Sequence, residues 1–158
     1  MIYLTKEEHN TLEVVLHVEL EKYLGKWYEI ARLPFRFEDG CTDVTATYSL
    51  SKDGNVSVLN ECLKDGKLKQ TKGKAKVVDK NTGAKLKVTF FWPFSADYWI
   101  INLGENYDYA IVGSPSRKYL WILSRTPQMD EKLFFQLVES IKSKGFNVEK
   151  LIKTSHSL

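Results

Sequence analysis

The sequence predicts an all-β fold, a sandwich or an up-and-down barrel of about eight short strands, followed by one helix. Three observations carry this. Short segments alternate apolar and polar residues with period two, tight-turn dipeptides separate them, and a single stripe of helical period stands near the end of the chain. The 158 residues are the length of one domain.

Residues 20–24 predict a short helical turn, and Trp27-Tyr28-Glu29-Ile30-Ala31 the first strand. In residues 44–50, Val44, Ala46, Tyr48 and Leu50 share one face while Thr45, Thr47 and Ser49 share the other. Asp53-Gly54 turns the chain, residues 56–62 return, and Asp65-Gly66 turns it again. Lys72, Lys74 and Lys76 then alternate with Gly73, Ala75 and Val77, and after Asn81-Thr82-Gly83, Lys85 and Lys87 alternate with Leu86, Val88 and Phe90. Strands over 98–103, 109–112 and 119–123 complete the set; the first of these is apolar on both faces, so periodicity does not orient it.

Leu133, Phe134, Leu137, Val138 and Ile141 fall on one helical face, with Thr126-Pro127 ahead and Gly145 behind as a C-terminal cap. A helix is therefore expected over 128–145, packed outside the strands. Residues 1–158 read as one domain: an arm over 1–19, strands over 20–125, the helix, and a C-terminal segment over 146–158.

Composition narrows the function. A net charge of +3 does not suggest a nucleic-acid binder. The three histidines, His9, His17 and His156, lie near the chain ends, away from any common site. No phosphate-binding loop, dinucleotide fingerprint, nucleophile elbow or C-x-x-C occurs. No enzyme activity, cofactor or metal is expected. No apolar run is long enough for a membrane-spanning helix. Residues 1–19, with Glu7, Glu8, His9, Glu13 and His17, do not fit a signal peptide.

Three segments resemble the lipocalins: Gly25-Lys26-Trp27-Tyr28-Glu29-Ile30-Ala31-Arg32, Tyr107-Asp108-Tyr109-Ala110, and the run from Tyr119 through Leu-Trp-Ile-Leu-Ser-Arg to Thr126-Pro127. They stand in the family's order, and the likeness spans about 20–153. It is nearest to the branch of bacterial lipocalins, apolipoprotein D and plant temperature-induced lipocalins. The resemblance implies an eight-stranded antiparallel up-and-down barrel with the helix outside it. Gly25, Trp27 and Arg125 then become architecture, with the Arg125 guanidinium over the Trp27 ring. It also implies a carrier for a small lipophilic ligand such as a fatty acid or lysophospholipid, as a monomer or homodimer with peripheral contact to membrane surfaces. Bacterial members carry a lipoprotein leader with an acylated cysteine; none precedes Gly25 here. The expected location is periplasmic, outer-membrane-associated or secreted if a leader was removed.

Strand parity and the resemblance together nominate Tyr48, Asn60, Phe90, Tyr98 and Trp121 as ligand-binding residues. For the aromatic four the alternative is ordinary barrel packing. For Asn60 it is an amide bonded to a neighbour or to buried water. Cys41 and Cys62 flank the hairpin that turns at Asp53-Gly54, a few residues out of ideal register. An exported protein would join them; a reducing compartment would leave free thiols. One lipocalin branch uses a pocket cysteine as an isomerase nucleophile, and Cys62 shares parity with Asn60. The remaining rival is a filled barrel serving as an interaction protein.

Two features lie outside these motifs. Phe90-Phe91-Trp92-Pro93-Phe94 is too apolar to be buried by alternation, so it either flaps over the mouth or folds onto the rim. Nine lysines and two aspartates lie between Lys64 and Lys87; the lysines read as a solvated hairpin face or an attraction for anionic headgroups.

Overall fold

The structure, a computed structural model, describes residues 11–91 and 93–157. A helical turn, α1 (Leu20–Tyr23), leads into β1 (Gly25–Arg32). The strands β2 (Thr42–Leu50), β3 (Val56–Lys64), β4 (Lys67–Val77), β5 (Lys85–Phe91), β6 (Phe94–Leu103), β7 (Tyr109–Gly113) and β8 (Leu120–Ser124) follow. Each pairs antiparallel with its sequence neighbour, and β1 pairs with both β2 and β8, closing an eight-stranded barrel. At Asp65-Gly66 both residues have positive φ (53° and 73°), as a two-residue hairpin matched to strand twist requires, and Lys64 pairs directly with Lys67.

The apolar residues form two layers. Trp27, Tyr48, Val58, Val88, Ile100 and Leu123 belong to the layer inside the barrel. Ile111, Leu120 and Ile122 face outward and meet Leu137 and Ile141 of the C-terminal helix α2 (Glu131–Ser143). The orientation that periodicity leaves open in β6 is settled by these layers: Ile100 faces in, while Trp99 and Ile101 face α2.

The helix starts three residues later than expected. Asp130 caps it, its carboxylate accepting the Leu133 N–H at 3.1 Å, whereas Thr126 is occupied donating to the Gln128 carbonyl at 2.7 Å. The helix ends as expected at Gly145 (φ 92°), where the Gly145 and Phe146 N–H groups return to the Lys142 and Ile141 carbonyls. Beyond it lies β9 (Ile152–Lys153), a ninth strand the sequence reading lacks, paired with β1 at Ala31 and Arg32. The arm is also more than a leader into the barrel: Leu12 is buried under α2, and Val18 packs into the inner layer with its N–H on the Thr82 carbonyl.

Cys41 and Cys62 form a disulfide with Cα atoms 5.6 Å apart. A register shift in β2 between Thr42 and Thr45, with Asp43 at φ 54°, absorbs the offset that ideal pairing would leave. The bond closes a 21-residue separation, which by chain entropy contributes about 3 kcal/mol. Cys41→Ser with Cys62→Ser is expected to lower the thermal midpoint by about 10 °C. Wild-type protein in reductant should lose the same amount; an unchanged midpoint in both would overturn the assignment.

Candidate functional site

The barrel has a closed end and an open end. At the closed end Trp27 is 0 % exposed, and its Nε1 donates to the Tyr23 carbonyl at 2.9 Å. The Arg125 guanidinium carbon sits 3.7 Å from the Trp27 ring centre. Its nitrogens donate to the carbonyls of Tyr107, Lys26, Lys22 and Tyr23 at 2.8–3.2 Å. Gly25 turns the chain beneath it at φ 104°, where a Cβ would stand 3.3 Å from Arg125 Nη1.

Above this plug lies a cavity of about 430 Å³, within the roughly 300–1,000 Å³ of small-molecule sites. The barrel is therefore not filled with side chains. Tyr48, Asn60, Phe90, Tyr98 and Trp121 all line it, from β2, β3, β5, β6 and β8. Val58, Val88, Val112 and Leu123 add aliphatic surface. Phe90 lies over Gly73 of β4, where a Cβ would come within 2.6 Å of its ring; a larger residue there would push Phe90 into the cavity.

The polar groups are few and grouped. At the deep end the Tyr98 hydroxyl donates to the Tyr48 hydroxyl at 2.9 Å and stands 2.6 Å from that of Tyr23. Burial raises all three phenols above their ordinary range, Tyr48 to about 12, so they are neutral hydrogen-bonding groups. The Asn60 side chain makes no hydrogen bond among the described residues and faces the cavity, unlike a satisfied core amide.

A second polar group, Glu29, Arg32 and Glu38, escapes the sequence reading. Glu29 shares parity with the plug residue Trp27, the one signal that could have placed it inside. Arg32 should point outward by the same count. A bulge at Ile30 reverses the parity, so that Glu29 pairs with Leu123 and Arg32 with Trp121, both cavity residues. Glu38 comes from a single 3₁₀ turn (Arg36–Glu38) between β1 and β2. Arg32 Nη1 lies 3.5 Å from Glu29 Oε2, and Nε lies 3.2 Å from Glu38 Oε2. Trp121 Nε1 donates to Glu38 Oε1 at 3.1 Å, and Thr154, from the C-terminal segment, donates to Glu29 Oε2. Burial, followed by the hydrogen bond and charge of Glu38, holds the Glu29 carboxyl well above the ordinary range.

Neither cysteine lines the cavity, and both sulfurs are in the disulfide, so the thiol an isomerase reading needs is not available. At the mouth Phe94 is 76 % exposed; of the aromatic run, Phe90 lies inside and Trp92 falls outside the described residues. The lysines do not form one uniform face. Lys74 and Lys87 pair with Asp53 and Asp97, Lys85 covers the Trp99 ring at 4.3 Å, and Lys69 reaches the Phe37 carbonyl near the mouth.

Comparison with known proteins places this geometry. The family model described as a lipocalin-like domain matches residues 18–156. Temperature-induced lipocalin-1 of Arabidopsis thaliana is 43 % identical over 159 residues, covering 95 % of this chain and 86 % of the relative. Outer membrane lipoprotein Blc of Vibrio cholerae is 43 % identical over 145 residues, covering 90 % and 85 %. Apolipoprotein D of Mus musculus is 38 % identical over 150 residues, covering 88 % and 77 %. Among solved structures, insecticyanin from the tobacco hornworm superposes with a TM-score of 0.77 at 20 % identity, covering 92 % of this chain and 85 % of its own; at that identity the likeness concerns the fold.

Proposed function

The chain belongs to the lipocalin family, and on that premise we propose that it carries a single-chain amphiphile, a fatty acid or lysophospholipid being the class, inside its barrel without chemical change. The observation that carries this reading is the cavity, open at one end and lined mainly by apolar and aromatic side chains. The mechanism is burial. Fifteen methylenes contribute about 12 kcal/mol on transfer from water. With at least about 4 kcal/mol lost to association, the expected dissociation constant is about 1 µM. Tyr48, Asn60 and Tyr98 offer a few hydrogen-bonding groups within an otherwise apolar lining, and Phe90 and Trp121 offer ring surface to the ligand.

The disulfide supports residence in an oxidising compartment, periplasmic or extracellular, and the relatives named outer membrane lipoprotein agree with the former. Exposed Phe94 at the mouth, and exposed Phe37 and Leu68 close to Lys64, Lys67 and Lys69, support peripheral contact of the mouth with a lipid surface.

Titration with saturated chains of increasing length tests the carriage. Tryptophan fluorescence should change saturably, and each methylene removed should weaken binding about fourfold. Trp121→Phe should lose most of the signal while calorimetry still records binding. If no fatty acid or lysolipid alters the fluorescence or raises the melting temperature, the reading is wrong.

A further inference from the structure

The charged groups of the cavity are unevenly signed. Among the described residues no lysine or arginine lines it, whereas Glu29, Glu38 and Asp97 do, and of these Asp97 is paired with Lys87 outside the lining. The nearest cation, Arg32, is held by the Glu29 and Glu38 carboxylates and also donates from Nη2 to the Glu38 carbonyl at 3.1 Å. Glu38 is less well served. Its Oε1 takes a hydrogen bond from Trp121, but its buried Oε2 takes none from Arg32, whose Nε is close but not aimed at it. Rings stand beside this carboxylate in the lining. Phe35 meets Phe37, Tyr119 and Trp121 edge-on with centres 5.4–5.5 Å apart.

We infer that Glu38 and the aromatic wall of Phe35, Phe37, Tyr119 and Trp121 form a headgroup subsite for a trimethylammonium-bearing amphiphile, with the alkyl chain running deeper past Val58 and Val88. This rests on the carrier reading above and narrows it.

The chemistry selects that head over its rivals. A trimethylammonium group has no N–H to satisfy, so ring faces and one carboxylate suffice. A primary ammonium brings three donors, for which the wall offers few acceptors. A carboxylate in the same place would meet two carboxyl groups and no free cation, and an unpaired buried charge is costly. A neutral alcohol would gain burial alone.

The test uses three probes of equal chain length below their micelle concentrations: dodecyltrimethylammonium, dodecanol and dodecanoate. By calorimetry on the wild type, dodecyltrimethylammonium should bind about tenfold tighter than dodecanol, the size of one desolvated cation–aromatic contact, and dodecanoate more weakly than dodecanol. Glu38→Gln, which keeps an acceptor for Trp121, should bring the cation to within about twofold of dodecanol. Phe35→Leu, which leaves Arg32 and the Glu29 and Glu38 carboxylates unchanged, should reduce the same ratio, so the inference does not depend on one variant folding. Dodecanoate binding as tightly as the cation, or a ratio that survives both variants, would overturn the subsite while leaving the carrier intact. Failure of all three probes on the wild type would overturn the carrier reading and the subsite with it.

Discussion

Trp27→Ala is expected to cost about 3–5 kcal/mol, read as a fall in the thermal midpoint of about 10 °C or more. The indole fills the closed end with no exposed surface, so its removal leaves a void that the surrounding strands are too well paired to close. It also frees the Tyr23 carbonyl from the indole N–H and removes the surface on which Arg125 lies. Arg125→Ala should cost about 3 kcal/mol, combining the lost ring contact with charged hydrogen bonds to four carbonyls. Because the two side chains touch, the double variant should lose less than the two single losses together. Arg125→Lys should recover little, since one ammonium cannot span carbonyls on α1, β1 and the segment before β7. Chemical denaturation of the four proteins checks this, and strictly additive losses would show that the plug is not one unit. Lipid affinity per folded molecule should change little, because both residues lie below the cavity lining.

The fold was legible because strands that bury one face write it into the sequence with period two. Parity together with the family resemblance could place Tyr48, Asn60, Phe90 and Trp121 on inner faces, while Tyr98, on a strand apolar on both faces, is placed by the resemblance; all five line the cavity. Parity fails where the backbone inserts an extra residue. The bulge at Ile30 leaves no mark in the hydrophobic pattern, yet it turns Arg32 inward beside Glu29. Phe35, Phe37 and Glu38 were hidden for a different reason: they come from a connection without regular period, and only the closed barrel shows which way it folds. β9 and the buried arm residues Leu12 and Val18 are too short or too isolated to carry a pattern. The volume of the cavity is likewise a property of strand tilt and side-chain size together, so a hollow barrel and a filled one share the same alternation.

Arg32→Met should be nearly as damaging as loss of the plug, about 3–5 kcal/mol at neutral pH, because it strips the countercharge from the buried Glu29 carboxyl and the half-buried Glu38 carboxyl. The pH dependence identifies the cause. In the wild type, burial and Glu38 hold the Glu29 carboxyl well above its ordinary value of 4.5, against the opposing pull of Thr154 and Arg32. The folded chain therefore keeps this proton after the unfolded chain has released it. Between 4.5 and the raised value the unfolded state binds fewer protons, so this group's contribution to stability falls as pH rises. Removing Arg32 takes away the charge that favours the ionised form and raises the value further. The deficit of Arg32→Met against the wild type should then be smallest while Glu29 is protonated in both proteins and grow as pH rises past the wild type's raised value. Glu29→Gln, which cannot titrate but still accepts from Thr154, should flatten the wild-type slope and relieve part of the Arg32→Met loss. The other group facing the carboxyl, Glu38, and the imidazole of His156 on the Glu29 backbone carbonyl remain in all these variants and serve as the common background. Urea unfolding followed from pH 4.5 upward decides the matter: an Arg32→Met deficit that does not change anywhere in the range would mean that lost packing, rather than a buried Glu29 carboxyl left without its countercharge, is what the arginine prevents.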